Sequence, residues 1–330
     1  MRLEEIKRIF DENTLVLEQC VAYLNNTPCL MTREQMEQIT SGEKSLEQSS
    51  FALFLANVFF ENQDLASYFY KEYYSKGVKK LNTVDYTQNP YYKNVKIPQA
   101  QIGTWTLKNQ KYEPYEAFVY DDLLTTGHKE IVRLGFFDEE FAFPTVFENG
   151  VEWMAIKPNE IETMKRPIAN AHGGVLVCGL GLGYYAYMTS NKSSVNKITI
   201  VERDERVISL FSKYILPQFE NKEKISIVKA DALEYLKEKA PKANFDFVFV
   251  DLWHDASDGV ELYIKIKKLE ALLPKAKFEY WIEKTLISTI RTGIFNAIYP
   301  RLETGEITKT EQELEQMLTD NYIREIVKYL

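Results

Sequence analysis

Between residues 175 and 282, five short apolar runs alternate with helical patterns, and no other feature of the chain narrows its fold so far. The runs Val175 to Cys178, Ile198 to Glu202, Ile225 to Val228, Phe245 to Asp251 and Phe278 to Ile282 are nearly continuous in apolar residues. A strand that is apolar on both faces must be covered on both, and a parallel sheet flanked by helices does this. The intervening segments supply the helices. One opens near Tyr184, one carries Val207, Leu210 and Phe211, and one runs from about Val260 to Leu273. The pattern predicts an α/β fold: a Rossmann-like, doubly wound parallel sheet.

The remaining chain has other periods. Residues 1–80 read as a helical domain, with Leu17, Cys20, Val21 and Leu24 at i, i+3, i+4, i+7 and Phe51, Phe54, Leu55 and Val58 repeating that spacing. Residues 81–156 read as a linker followed by a small antiparallel β-domain. Its signals are the β-rich runs near Trp105, Phe118 and Phe141, and Asn149-Gly150 is a strong hairpin turn. Asn89-Pro90-Tyr91-Tyr92 in the linker reads as a plain turn; it lacks the second proline of the Asn-Pro-Pro-Tyr motif of nucleobase amino-methyltransferases. Pro158 suits the first turn of a helix running to about Ala171. The third domain, residues 157–330, carries the sheet and ends in a helical tail with a Thr310-x-x-Glu313 capping box.

Composition removes several function classes. The net charge of −8 disfavours an extended nucleic-acid footprint, which needs a basic face. Three cysteines without a CxxC pair, and three well-separated histidines, argue against a disulfide scaffold and a zinc site, so no metal is expected. No apolar run approaches the ~20 residues of a membrane span, and the first residues lack a signal-peptide core, so a cytoplasmic protein is expected.

Four features within 77 residues point to chemistry. Gly179-Leu180-Gly181-Leu182-Gly183 follows the first strand of the sheet, where Gly179, Gly181 and Gly183 let the backbone turn sharply and approach a ligand. A nicotinamide-binding loop would carry another glycine where Tyr184 stands. Glu202 ends the second strand and can accept both hydroxyls of an adenosine ribose, or merely pair with Arg203 or Arg206. Asp231 follows the third strand, where it can accept from an adenine amino group while the backbone N–H of Ala232 reaches the ring. It also suits a helix N-cap, and both roles can hold together. Asp251-Leu252-Trp253-His254-Asp255 closes the fourth strand, at the carboxyl end where open α/β sheets bind ligands.

With those motifs in order, residues from about 148 to 282 resemble class I S-adenosylmethionine-dependent methyltransferases, and among them the spermidine synthase-like group. Val175 to Gly183 looks like that group's first motif, Ile200 to Asp204 like its ribose motif and Ala230 to Leu236 like its adenine motif. The strand ending at Asp251 is similar to the one that carries its active-site aspartate. The resemblance implies that Gly179, Gly181, Gly183, Glu202, Asp231, Ala232, Asp251 and Trp253 hold S-adenosylmethionine and that Asp251 is catalytic, and the chemistry of the loop adds His254 and Asp255 as candidate catalytic groups.

The departures point away from polyamine chemistry. Aminopropyl transfer in that group uses Asp-x-x-Asp after strand four; here the second position is His254, and Asp255 comes one residue late. The group's Tyr-His-Glu would fall near Thr163-Met164-Lys165, and a lysine there would repel a diamine such as putrescine. The expected enzyme is therefore a methyltransferase acting on a small-molecule acceptor, holding nucleophile and methyl ~3 Å apart in line. An aminopropyltransferase and a non-catalytic nucleoside-binding interaction protein are the alternatives. The partner expected is the acceptor, with a homodimer left open.

Overall fold

A computed structural model describes residues 2–330, which form two compact units interleaved along the chain. One unit takes the chain up to Asp85, Lys111–Ala142 and Ile287–Ile323; the other takes Tyr86–Gln110, Phe143–Leu286 and Arg324–Leu330. The stretch 81–156 contributes to both.

In the first unit the long helix Leu3–Asn26 buries Ile6, Phe10, Val16, Cys20 and Tyr23. The stripe read from the sequence lies partly on a neighbouring face, for Leu17 and Val21 stay 47% and 48% exposed. This helix is apolar over two adjacent faces that share Cys20. Which face is covered depends on what packs there, and spacing alone does not contain that information. The helix Glu47–Phe59 buries Phe51, Ala52, Leu55 and Ala56, and Phe51 stacks on Phe136 at 4.4 Å between ring centroids. A second small core joins Ile6 and Phe10 to Phe295, Leu314 and Leu318. The helix carrying Leu314 starts at the Thr310–Glu313 capping box. Buried Arg291 pairs with Glu130 and Asp320, and Ser288 donates to Glu130 at 2.5 Å, so the carboxylate and guanidinium leave water together.

The second unit carries both of its sheets through local sequence signals. In a four-stranded sheet, Ala100–Ile102 pairs with Trp105–Tyr112 and Phe141–Glu148 pairs with Val151–Ala155, each pair antiparallel. The second hairpin turns at Asn149 and Gly150, with φ of 52° and 83°, as a primed two-residue turn requires. Helix Pro158–Asn170 leads into the parallel sheet. Its elements are β1 (Gly173–Cys178), α1 (Tyr184–Ser190), β2 (Val195–Glu202), α2 (Glu205–Leu210), β3 (Ile225–Lys229), α3 (Ala232–Glu238), β4 (Phe247–Val250), α4 (Ala256–Leu269) and β5 (Lys277–Tyr280).

The strand order is β3-β2-β1-β4-β5, every neighbouring pair parallel. From β1 the chain winds outward through β2 to β3, then returns to the other side of β1 for β4. The winding direction therefore reverses between β1 and β4, and their carboxyl ends open a crevice where such sheets take ligands. The fold is mixed α/β on a parallel sheet. No helix among the described residues is long and apolar enough to cross a membrane.

Candidate functional site

The glycine loop sits at that crevice. Gly179 has φ +100° and donates its N–H to the Val201 carbonyl at 2.9 Å. A Cβ here would run into the Asp251 carbonyl oxygen, so only glycine lets the loop leaving β1 pass the end of β4. At Gly183, φ +76°, a Cβ would enter the ring of Phe211, and the Gly183 N–H donates to Leu180 O at 3.0 Å. Gly181 differs: its φ is +54° and nothing lies within 4 Å of where its Cβ would be. Two glycines close the loop onto the protein, and the third turns a bare backbone toward open space.

Glu202, half-buried at the end of β2, braces this loop. Its Oε2 accepts from Leu180 N–H at 3.2 Å and its Oε1 from Asp204 N–H at 2.8 Å. Each oxygen spends one lone pair on a backbone amide and keeps another for a ligand hydroxyl. Asp231 caps α3, with Oδ1 accepting from Leu233 and Glu234 N–H at 2.9 and 3.1 Å. The capping role is thus real, and Oδ2 remains as an acceptor. Ala232 is buried in the first turn of α3.

Asp251 is the first residue beyond β4, its N–H still bonded to Cys178 O at 2.9 Å. Burial, and after it the charge of Glu202, push its carboxyl from an ordinary value of 3.8 up to about 7. A second acid responds to it. Glu160, in the first turn of helix Pro158–Asn170, is raised well above the usual carboxylate range by burial and then by the Asp251 charge. Glu160 is missing from the sequence reading because an acid in a first helical turn ordinarily reads as a complement to the helix dipole. The charge of Glu202 thus acts on Asp251, and that of Asp251 on Glu160. Such a site favours a cation, whose charge opposes the upward push on Asp251 and Glu160.

The rest of the Asp251–Asp255 run serves the start of α4. Asp255 accepts from Ser257 N–H at 2.7 Å as its N-cap. Trp253 is 4% exposed, packs against Gly259 and leaves its indole N–H without a partner among the described residues. His254 is exposed, its Nδ1 2.9 Å from Asp258 Oδ2 and its ring edge-to-face with Trp153 at 4.6 Å. Lys165 corrects an expectation. It lies on the exposed side of its helix and forms an ion pair with Glu162 at 2.6 Å, so it presents no repulsive charge to the site. Spacing along a helix does not say which face turns inward, and here the acid at 160 comes under the field of Asp251 instead. Among the described residues no group of three or more His, Cys, Asp or Glu is arranged to hold a metal.

Residues 167–271 match the family model described as Spermine/spermidine synthase domain. No curated protein matches. Solved structures that are similar include spermidine synthase from Thermotoga maritima, at 19% identity over 42% of this chain and 48% of that one, with a TM-score of 0.31. Another is a spermidine synthase in complex with the transition state analogue AdoDATO, at 21% identity over 37% of this chain and 43% of that one, TM-score 0.27. The chain thus spans under half the length of each. The family-model match overturns the expected methyltransferase: the matched block contains the glycine loop, Glu202, Asp231 and Asp251, and it is a spermine/spermidine synthase domain that fits it. The methyltransferase expectation rested on two departures, His254 after strand four and Lys165 before the glycine loop, and of these Lys165 lies on the exposed side of its helix.

Proposed function

We propose that the chain is a transferase of the spermidine synthase type, moving an aminopropyl group from decarboxylated S-adenosylmethionine to a small amine acceptor. The observation that carries this reading is the family match over the very residues that build the crevice. The site's donor set fits such a ligand, with an open glycine backbone at Gly181 and spare acceptors on Glu202 and Asp231 for ribose and adenine. When bound, the donor supplies a sulfonium-linked propyl carbon: the amine lone pair forms the C–N bond, the C–S pair returns to sulfur as methylthioadenosine, and the amine sheds a proton.

The chain's own residues meet the remaining needs. Asp251, poised near pH 7, accepts the proton that the attacking nitrogen must lose. Glu160, its carboxyl raised by burial and then by the Asp251 charge, gives up its proton when a cation enters, which favours an acceptor with a second, protonated amine. With Lys165 turned to solvent, the expectation that putrescine is refused rests on His254 alone.

The test is an incubation with decarboxylated S-adenosylmethionine and a panel of amines that includes putrescine. Methylthioadenosine should form with at least one of them. Donor binding without methylthioadenosine from any amine would leave a nucleoside-binding protein, and no donor binding would overturn both readings. Glu202→Ala should weaken donor binding by about 1.5–3 kcal/mol, the scale of a hydrogen bond to a charged group. Calorimetry on the folded variant reads it, and an unchanged dissociation constant removes Glu202 from the site.

A further inference from the structure

The Asn89-Pro90-Tyr91-Tyr92 run, which the sequence offers only as a turn, has a use in the fold. Asn89 Oδ1 accepts from Tyr91 N–H at 2.9 Å and caps the short helix Pro90–Asn94. Three side chains from this segment reach the glycine loop and α1. Tyr91 OH donates to the Leu182 carbonyl at 2.6 Å, Asn89 Nδ2 to Tyr184 OH at 3.0 Å, and Asn94 Nδ2 to Tyr187 OH at 2.8 Å. Tyr91 is 1% exposed, its ring edge-on to Tyr184 and Tyr187 at 5.7 and 5.4 Å. Farther on, Lys96 and Gln218 exchange two hydrogen bonds of 2.8 Å. A strap thus lies across the back of the loop.

The contact of Tyr91 differs in kind from the other two. It holds a backbone carbonyl of the loop itself, whereas Asn89 and Asn94 hold side chains of α1. The Leu182–Gly183 peptide is tied at both ends, its C=O by Tyr91 and its N–H by Leu180 O at 3.0 Å. Leu182 itself stands between Gly181 and Gly183, with φ of +54° and +76°. Glycine imposes little conformational preference of its own, so the orientation of this carbonyl depends on the hydrogen bonds that hold the peptide, and Tyr91 supplies the one that comes from outside the loop. Gly181, one residue before the tied carbonyl, is the face open to a ligand.

Resting on the donor reading above, we infer that Tyr91 is a positioning residue for the nucleoside: through the Leu182 carbonyl it holds the glycine loop in the orientation that receives the donor. Burial keeps the Tyr91 phenol protonated, so it remains a donor throughout the neutral range.

The experiment compares Tyr91→Phe, which keeps the ring and loses the hydroxyl, with Asn94→Ala, which removes a strap contact that does not touch the loop. Binding of decarboxylated S-adenosylmethionine, melting temperature and amide hydrogen exchange without ligand are measured for both. Tyr91→Phe should raise the donor dissociation constant about three- to tenfold, the scale of one neutral hydrogen bond, and speed exchange at the Leu180 to Tyr184 amides. Asn94→Ala should leave affinity within about twofold and those amides unchanged, even where its melting temperature falls as far. An unchanged Tyr91→Phe, or equal affinity losses in both variants, overturns the inference. If the wild-type protein binds no donor, the reading of function fails; the exchange arm still decides whether Tyr91 holds the loop.

Discussion

Asp251→Asn is expected to slow turnover by ~10²-fold or more, the usual scale for a lost general base, while donor affinity stays within about twofold. The wild-type rate should climb about tenfold per pH unit below a midpoint near 7 and flatten above it, and the variant should lose that limb. The same residue makes an opposite forecast for stability. Its folded carboxyl keeps a proton up to about pH 7, whereas an unfolded one releases it near 3.8. Between those values the folded state binds more protons, so the contribution of Asp251 to stability is complete below about pH 4 and is lost as pH rises through 7. Asn carries no charge to desolvate. The variant should therefore be more stable than wild type at pH 8, with the gap closing near pH 4. Denaturant titrations at the two pH values check this. A wild-type rate in the variant would make the loop after β4 structural, and lost donor binding would make Asp251 a ligand for the donor's cation.

Gly179→Ala should cost ~3 kcal/mol or more of stability, or prevent the second unit from folding. Its φ of +100° lies in territory that L side chains rarely adopt, and the added methyl would meet the Asp251 carbonyl, which cannot move without separating β1 from β4. Gly181→Ala is the informative companion. Its φ of +54° costs an alanine only ~1–2 kcal/mol, and no protein atom opposes the methyl. The second variant should fold and bind the donor at least tenfold more weakly, because the methyl occupies the space the ligand needs. Urea denaturation and calorimetry on both variants separate the two roles. Equal stability losses would mean that the loop has no open side.

The contrast between those glycines marks where reading a sequence reaches and where it stops. The G-x-G-x-G spacing after an apolar run identifies a tight turn beside a strand, yet each glycine looks the same in the chain. Their different duties come from what stands opposite: Asp251, the Phe211 ring, or nothing. Glu202 and Asp251 were visible as candidates because each closes an apolar strand, at the end where open α/β sheets take ligands. Glu160 was not, because helix positions 160 and 165 differ only in which side faces inward. Asp255 and Trp253 lie in the same short run as Asp251, where α4 starts and takes Asp255 as its cap, a duty that the order of residues alone does not reveal.

Local physics was enough for the elements themselves. Near-continuous apolar runs specify covered parallel strands, Asn149-Gly150 specifies a primed hairpin, and Thr310 with Glu313 specifies a helix start, because each depends on residues a few positions apart. Tertiary structure decided the rest. It chose which face of the first helix is buried, which acids share a field at the crevice, and that a tyrosine some ninety positions before the glycine loop would hold its backbone. Those outcomes depend on partners brought together by chain reversal, and desolvation and contact act on distance in space, which the order of residues does not carry.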